Sequence, residues 1–425
     1  MFALLDRALK HVVQSGSMVV TDPRGGVHAY GDGTGEPVHF KVVSDRWARG
    51  IALDGDLRLG EAYMEGGIEL QRGNIRDLLA LFLGNLENQT YPAAMRFLFR
   101  QRIALKRLHQ YNPVGRAQKN VSHHYDINGA IYDLFLDRDR QYSCAYFETP
   151  DATLEEAQLA KKRHIAAKLA IKPGMRVLDI GSGWGGLGLY LAEACGADVT
   201  GVTLSAEQHK LSRERAQQRG LAAQVDFKLL DYRELDGPFD RIVSVGMFEH
   251  VGVVHYKEFF RKVSALLKDD GVAVLHSINR SDGPGATSAW IKKYIFPGGY
   301  IPALSEVLPI IERSKLYVTD IEILRLHYAR TLLEWFNRFE ASRERAAAIY
   351  DERFCRMWEY YLAGSEMTFR YSGMNNFQIQ MVKNQNTLPL TRDYIGEAEK
   401  SLRSAESRQP RLKSVRQASA FSALT

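Results

Sequence analysis

Cysteine is scarce, with three in 425 residues. Cys144, Cys195 and Cys355 lie far apart, with no CxxC or Cys/His ligand spacing. That argues against a disulfide framework and a zinc site, and the thiols are expected to be reduced. Also missing is any apolar run near the roughly 20 residues that span a bilayer. The opening "MFALLDRALKHVV" sets Asp6 where a secretory leader would be apolar, so a cytoplasmic protein is expected. No repeat recurs at a period that suggests a solenoid. Neither sign of charge dominates: 56 Lys and Arg against 50 Asp and Glu give +6. That mild excess suits an anionic surface such as phospholipid headgroups or nucleic acid, and equally a solvated exterior with no partner.

What the chain does contain is ordinary globular material, 45% hydrophobic and 25% charged, and 425 residues are enough for two domains. From 1 to about 110, short runs such as "GSMVVTD", "GVHAYGDG" and "PVHFKVVSD" are split by glycine-rich turns. Helix-like "LRLGEAYMEGGIEL" and "NIRDLLALFLGNL" follow, the pattern of a small α+β unit. "YNPVGRAQKN" breaks the helical pattern with Pro113 and Gly115, so residues 111–120 are read as a linker. Over 121–395, "VLDIG", "DVTGVTL", "VDFKLL", "FDRIVSVGM", "GVAVLHSI", "YVTDIEIL" and "NFQIQMVK" alternate with helical segments. Strands separated by helices imply right-handed crossovers and an α/β domain with a mostly parallel sheet covered on both faces. Residues 396–425 are polar with little periodicity and are expected to form a disordered tail.

The stretch "MRVLDIGSGWGGLGLYLAEA" carries GxGxxG in Gly181, Gly183 and Gly186, a glycine-rich turn from strand to helix that lets a ligand approach the backbone. A dinucleotide site also carries an acid about 20 residues further on to hold the ribose. Here the second strand, "DVTGVTLSAEQ", ends in Thr203 and Leu204 instead. The acid precedes the glycines, giving DxGxGxG through Asp179, Gly181, Gly183 and Gly185. This order resembles the first-strand pattern of class I S-adenosylmethionine methyltransferases. A carboxylate beside a helix N-terminus repels a pyrophosphate but attracts the ammonium of a sulfonium amino acid. The loop is therefore read as a site for S-adenosylmethionine, with Asp231 of "FKLLDYREL" placed to reach the adenosine end. The plain alternative is that both acids merely cap turns.

More specific are the motifs around the loop: "HHYDINGAIYDLFLDRDRQYSCAYFETPDATLEEAQLAKKRHIAAKL", "MFEHVG", "LHSINR", "IFPGG" and "HYARTLLEW". Together they resemble the cyclopropane fatty acid synthase family and its mycolic acid relatives, from about residue 120 to 385. A weaker match around "LGEAYMEGGIEL" is to the lipid-associated N-terminal domain of the bacterial synthases. The resemblance implies a class I, Rossmann-like fold with a smaller N-terminal lipid-associated domain. The implied activity is methylene transfer from S-adenosylmethionine to the cis double bond of a phospholipid acyl chain. It implies cofactor contacts from Tyr142, Ser143, Gly181, Gly183, Gly185, Thr203, Gln208, Asp231 and Tyr232. A bound bicarbonate ion acts as base in bacterial synthases, and its matching residues here are Cys144, Glu249, His276, Ile278 and Tyr328. A homodimer is a further expectation by analogy. Ser365 in "YYLAGSEMTFR" stands where family members often have cysteine. Methyl transfer to an alkene needs no enzyme nucleophile, so no loss is expected.

The chemistry makes sense of such a set. An alkene that attacks an electrophilic methyl becomes a carbocation, and the new methyl must lose a proton as the ring closes. The base must sit beside a cation in a pocket that excludes water. A small anion held by His276 and Tyr328, with Glu249 accepting a bicarbonate proton, would serve, and aromatic faces could steady the cation. Each residue also has a plainer reading. Cys144 fits as a small core residue, and His276, ending an apolar strand, fits as a hydrogen-bonded core histidine. Glu249 is the hardest to place structurally, because a carboxylate directly after an apolar strand needs a partner.

Such an enzyme must dock on the inner face of a membrane without spanning it. "RFLFRQRIALKRLH" offers Phe97, Leu98, Leu105 and Leu108 on one helical face, with Arg96, Arg100 and Arg107 opposite, which suits anionic lipid. The same pattern also fits a helix packed on its own domain. Three rivals remain at this point: methylation of the same alkene to a branched or methylene-bearing chain, a non-catalytic lipid-binding module, and a nucleic-acid methyltransferase. The last lacks an NPPY-like base-flipping loop where "MFEHVG" stands, so no nucleic-acid partner is expected.

Overall fold

The computed structural model describes residues 2–87 and 129–408. The linker at 111–120 and the basic segment at 96–108 therefore lie outside the described residues, as do residues 409–425.

The N-terminal part runs α1 (Phe2–Val12), β1 (Met18–Thr21), β2 (Val27–Tyr30), β3 (Val38–Val42), α2 (Asp45–Leu53), α3 (Gly55–Met64), β4 (Ile68–Arg72) and α4 (Ile75–Glu87). Its strands pair in the order β2-β1-β3-β4. The alternating sequence is visible in the burial of Met18 and Val20 on β1 and of Val38, Phe40 and Val42 on β3, with side chains pointing to opposite faces at successive positions. One expectation is corrected here. "LRLGEAYMEGGIEL" does not stay helical, because α3 stops at Met64 and the chain turns through Gly66 and Gly67 into β4.

The second part begins with α5 (Gly129–Phe135), α6 (Leu154–Leu169), β5 (Arg176–Ile180), α7 (Gly186–Cys195), β6 (Asp198–Thr203), α8 (Ala206–Gln218), β7 (Val225–Leu229), β8 (Phe239–Val245), α9 (Tyr256–Leu266) and β9 (Leu267–Arg280). It continues with α10 (Ala289–Tyr294), α11 (Leu304–Glu312), β10 (Tyr317–Ile323), α12 (His327–Ala341), α13 (Arg343–Ile349), α14 (Glu352–Tyr371), β11 (Met374–Val382) and α15 (Asp393–Arg408). The strands form a sheet in the order β10-β11-β9-β8-β5-β6-β7. β5 to β9 join in parallel, whereas β11 runs antiparallel to β9 and β10. The mostly parallel sheet is thus present. Its apolar runs reflect two buried faces: Leu178, Ile242 and Leu275 pack with Phe259 and Phe260 of α9, while Val177, Val243 and Val274 pack with Ile165 of α6 and Leu189 of α7.

From central β5 the chain winds one way to β6 and β7 and the other way to β8 and β9. Ligands bind in open α/β sheets at such a reversal, outside the carboxyl ends of the strands. The N-terminal part shares one continuous core with the helices on this second part, joining Phe40, Leu78, Trp290, Trp335 and Trp358. Polar contacts cross the same boundary, with Arg76 to the fully buried Glu366 at 2.7 Å, Lys293 to Glu61 at 2.6 Å and Tyr63 Oη donating to Glu359 at 2.9 Å.

The tail is a second correction, since residues 396–408 are helical, as part of α15. Ile395, Glu399, Leu402 and Glu406 follow helical spacing on one face. Leu402 packs beside the core of α6 and α7. Glu406, 1% exposed, accepts from Arg163 at 2.9 Å and from Tyr190 Oη at 2.7 Å. Half of the anchoring stripe is glutamate, so hydrophobic periodicity could not reveal it.

α6 starts in a reciprocal cap: Glu156 N–H donates to Thr153 Oγ1 at 3.3 Å, and Thr153 N–H donates to Glu156 Oε2 at 2.9 Å. Thr153→Ala is expected to cost about 1 kcal/mol, read as a lower urea midpoint with an unchanged slope. An unchanged midpoint would mean that packing alone sets the start of α6.

Candidate functional site

A cleft opens where the topology places it, at the carboxyl ends of β5, β6 and β8, with Asp179, Thr203 and Val245 among its lining. Asp179 is 1% exposed, and its Oδ2 has no hydrogen-bond partner. Burial raises its carboxyl to about 7, against the opposing pull of the Lys161 ammonium. Gly181 and Gly183 also line the cleft. A Cβ on Gly181 would meet Met247 Cβ at 2.7 Å, whereas one on Gly183 would meet nothing within 4 Å and stand in open space. Gly185 is not part of the lining. A Cβ there would meet Phe227 at 2.7 Å and Ser212 at 2.8 Å, so packing at the start of α7 requires a glycine here.

Farther along, Thr203 Oγ1 donates to Gln208 Oε1 at 2.7 Å, and both residues line the cleft with Asp231 and Tyr232. Asp231 is held by Arg233 through Nε at 2.9 Å and Nη2 at 2.7 Å, which fixes its carboxylate at the end of β7. The facing wall comes from the loop between α5 and α6. There Tyr142 shares a 2.7 Å hydrogen bond with the Tyr361 hydroxyl and stacks on Trp335 at 5.2 Å. Ser143 Oγ accepts from Lys161 Nζ at 2.7 Å.

These residues fit S-adenosylmethionine. The orphaned carboxylate oxygen of Asp179 suits an ammonium, and a group that is costly to bury alone gains a partner when that ammonium arrives. The open backbone at Gly183 leaves room for the cofactor's amino-acid chain, and Tyr142 puts an aromatic ring in the wall of the same cleft.

None of the five residues matched to the base lines this cleft, though Cys144 and Glu249 are chain neighbours of the lining residues Ser143 and His250, and the His276 carbonyl accepts from the N–H of lining Gly246 at 3.0 Å. Glu249 follows Met247 in the short helical turn after β8 and is 8% exposed. Its Oε1 accepts from the Ile278 N–H at 2.6 Å. Its Oε2 has no hydrogen-bond partner; the Ser277 hydroxyl, which donates to the Ile278 carbonyl at 3.0 Å, is near enough to favour the ionised carboxylate. Burial raises the Glu249 carboxyl. His276, 1% exposed, faces Gln378 across the sheet, with Gln378 Nε2 to Nδ1 at 3.2 Å, and burial lowers it to about 3. Cys144 is wholly buried and burial pushes its thiol up, so it is no nucleophile. Tyr328, on the first turn of α12, packs against Phe369 at 4.8 Å and Trp335 at 5.8 Å in the core that also takes in Cys144 and touches Ile278. Of the five, Glu249 and Ile278 are joined directly, by the Ile278 N–H bond; Cys144 and Tyr328 belong to the large apolar core against which Ile278 packs, and His276 bonds instead to Gln378 across the sheet.

Sequence reasoning missed several lining residues, among them Gln141, Trp184 and Met247. His250, Pro297 and Gly298 also line the cleft; they lie within "MFEHVG" and "IFPGG", whose order along the chain was the available signal. Lys161, buried behind Ser143, left no signal because it sits in a run of basic residues.

The mycolic acid cyclopropane synthetase family profile matches residues 114–379. Among curated relatives, a Pseudomonas putida "Probable fatty acid methyltransferase" is 39% identical over 353 residues, 79% of this chain and 86% of that one. The cyclopropane-fatty-acyl-phospholipid synthase of Escherichia coli K12 is 40% identical over 343 residues, 81% of this chain and 87% of its own. Among solved structures, mycolic acid cyclopropane synthase CmaA1 complexed with SAH and CTAB is similar with a TM-score of 0.60 at 34% identity, covering 64% of this chain and 98% of that one.

Proposed function

Because the chain belongs to the mycolic acid cyclopropane synthetase family, we propose that it transfers a methylene group from S-adenosylmethionine to the cis double bond of unsaturated acyl chains in membrane phospholipids, closing a cyclopropane ring. It is an S-adenosylmethionine-dependent methyltransferase of class I fold. The observation that carries the reading is the pair of buried acids, Asp179 and Glu249, each with an oxygen that has no hydrogen-bond partner. One lies in the cleft and one on its margin. A cofactor ammonium explains the first, and the O–H of a bound bicarbonate base explains the second.

S-adenosylmethionine supplies an electrophilic methyl group when bound. The chain's own residues do the rest. Asp179 orients the amino-acid end, Tyr142 and Tyr328 present aromatic faces near the cation, and the surrounding core excludes water. We read the base as bicarbonate held by Glu249, His276 and Tyr328. Glu249 Oε2 can accept a bicarbonate O–H. His276, kept neutral by burial, adds no positive charge beside a carbocation; its ring nitrogens meet the Gln378 and Asn376 amides at 3.2 and 3.5 Å, so it gives its N–H to the anion by exchanging one of these partners. The Ile278 N–H is already given to Glu249 and orients that carboxylate.

A second reading, methylation to a branched or methylene-bearing chain, is favoured by the similarity to a "Probable fatty acid methyltransferase". It differs only in the fate of the cation. Incubating phospholipid vesicles with labelled S-adenosylmethionine and analysing the acyl chains by mass spectrometry and NMR separates the two. A ring is the expected product, a branch supports the second reading, and no label in lipid overturns both.

The substrate requires reversible docking on the membrane, and among the described residues no helix is long and apolar enough to cross it. We assign docking to Arg96, Arg100 and Arg107 with the apolar residues of 96–108, which suits the anionic inner face of a membrane. Each basic residue near such a surface contributes about 1 kcal/mol, and screening acts over about 8 Å at physiological salt. Arg100→Gln is therefore expected to weaken co-sedimentation with anionic vesicles severalfold at low salt and less at high salt, with unchanged S-adenosylhomocysteine affinity. Equal sedimentation at every salt concentration would place docking elsewhere. A homodimer, expected from the resemblance, is read by light scattering on the same samples.

A further inference from the structure

Lys161 lies mid-way along α6, 1% exposed. Its ammonium donates to Gln141 Oε1 at 2.8 Å and to Ser143 Oγ at 2.7 Å. Both acceptors line the cleft and both are uncharged, so these bonds satisfy donors without balancing a buried charge. The charged and titratable groups around it come from several elements: Lys162 on its own helix, Asp137, Asp139 and Cys144 from the preceding loop, Asp179 from β5 and His276 from β9. Asp139 is engaged by Lys162, Arg215 and Arg219. Asp137 accepts backbone N–H groups of Asp139 and Gln141. Asp179 Oδ2 has no such partner; Lys161, whose ammonium is bonded to Gln141 and Ser143, acts on this carboxyl through space and not by a direct contact.

We propose that Lys161 is a positioning residue for the cofactor: from behind the cleft wall it holds Gln141 and Ser143 in place and supplies the positive charge that keeps Asp179 ionised to receive the cofactor's ammonium. This rests on the S-adenosylmethionine reading. Burial raises Asp179 to about 7 and lowers Lys161 to about 8, so between these values both groups carry charge. Below that window Asp179 takes up a proton and loses its hold on an ammonium. Above it Lys161 is neutral while Asp179 stays ionised. Without Lys161, Asp179 would protonate at higher pH.

The test is calorimetric titration of the full chain with S-adenosylhomocysteine from pH 6 to 9.5. In the parent, affinity is expected to fall as pH drops through about 7. In Lys161→Met the same limb moves upward, giving at least tenfold weaker binding at pH 7 that approaches the parent value above about pH 8.5. In Asp179→Asn the limb is absent, and adding Lys161→Met does not restore it. Lys161→Gln, which keeps a donor for Ser143, gives the same displacement if Lys161→Met fails to fold. Equal affinity in parent and variant, or a loss of the same size at every pH, overturns the assignment, the second outcome meaning that Lys161 only shapes the wall. A parent that binds no S-adenosylhomocysteine at any pH overturns the cofactor reading itself, and with it this inference.

Discussion

Asp179→Ala is expected to weaken S-adenosylhomocysteine binding by about 1.5–3 kcal/mol, the size of a lost charge-assisted hydrogen bond, while NAD binds neither protein. The carboxyl precedes the glycines, Oδ2 has no hydrogen-bond partner, and no acid closes β6 to hold a dinucleotide ribose. Calorimetry in which NAD binds and S-adenosylhomocysteine neither binds nor competes would sink the assignment. A stability measurement checks the same residue from the other side. Burial raises the folded-state value of Asp179 to about 7 from 3.8, so between these values the folded protein holds a proton that the unfolded chain has lost. Its contribution to stability therefore falls as pH rises from about 4 to 7. Asp179→Asn should then raise the melting temperature of the ligand-free protein at pH 8, and S-adenosylhomocysteine should stabilise the parent more than the variant. An acid that destabilises the empty protein and stabilises the loaded one belongs to the ligand.

Strands of the large sheet were readable because burial on both faces gives short continuous apolar runs, and "VLDIG", "FDRIVSVGM" and "GVAVLHSI" correspond to β5, β8 and β9. The cofactor cleft was readable because its lining clusters at strand ends, where sequence position and space coincide. Gly185 shows the limit of that argument. Its spacing fits the loop, yet the neighbours that require a glycine there are Phe227 and Ser212.

α6 shows why the rest was hidden. "AQLAKKRHIAAKL" carries no apolar stripe flanked by a charged face, yet Lys161, Lys162, Arg163 and His164 are all buried. Their partners arrive from distant parts of the chain: Glu406 for Arg163, and Glu322 and Glu399 for His164. Periodicity measures apolar faces, and a helix that buries ionic side chains as well as apolar ones such as Ile165 and Leu169 has little such contrast. The same blindness covered α15, whose anchoring glutamates make sense only when α6 is beside them. Both ends of this ionic layer were therefore invisible to composition, and it is this layer that carries Lys161 to the back of the cofactor cleft.

Glu249→Gln is expected to lower turnover by about 10²- to 10⁴-fold, the range of general acid–base contributions, and to change S-adenosylhomocysteine affinity little. The substitution keeps the shape and leaves an amide oxygen to accept the Ile278 N–H now bonded at 2.6 Å. The Tyr300 N–H to Glu249 carbonyl bond, 2.9 Å, is a backbone contact that the change does not touch. What it removes is the negative charge and the second acceptor, Oε2, the atom with no hydrogen-bond partner. Burial raises this carboxyl, so its ionised form, the one that can accept a bicarbonate proton, is lost at a higher pH than for an exposed glutamate. Activity should accordingly decline on the acid side earlier than solvent-exposed carboxylates titrate, and S-adenosylhomocysteine affinity should not follow that decline wherever Asp179 is unchanged in charge. Rigorous removal of carbon dioxide should depress the parent and leave the already slow Glu249→Gln variant little changed, because both manipulations strike one base. If the variant turns over at the parent rate and the degassed parent stays fully active, another group takes the proton from the new methyl, and Glu249 is only a buried partner for the backbone of Ile278.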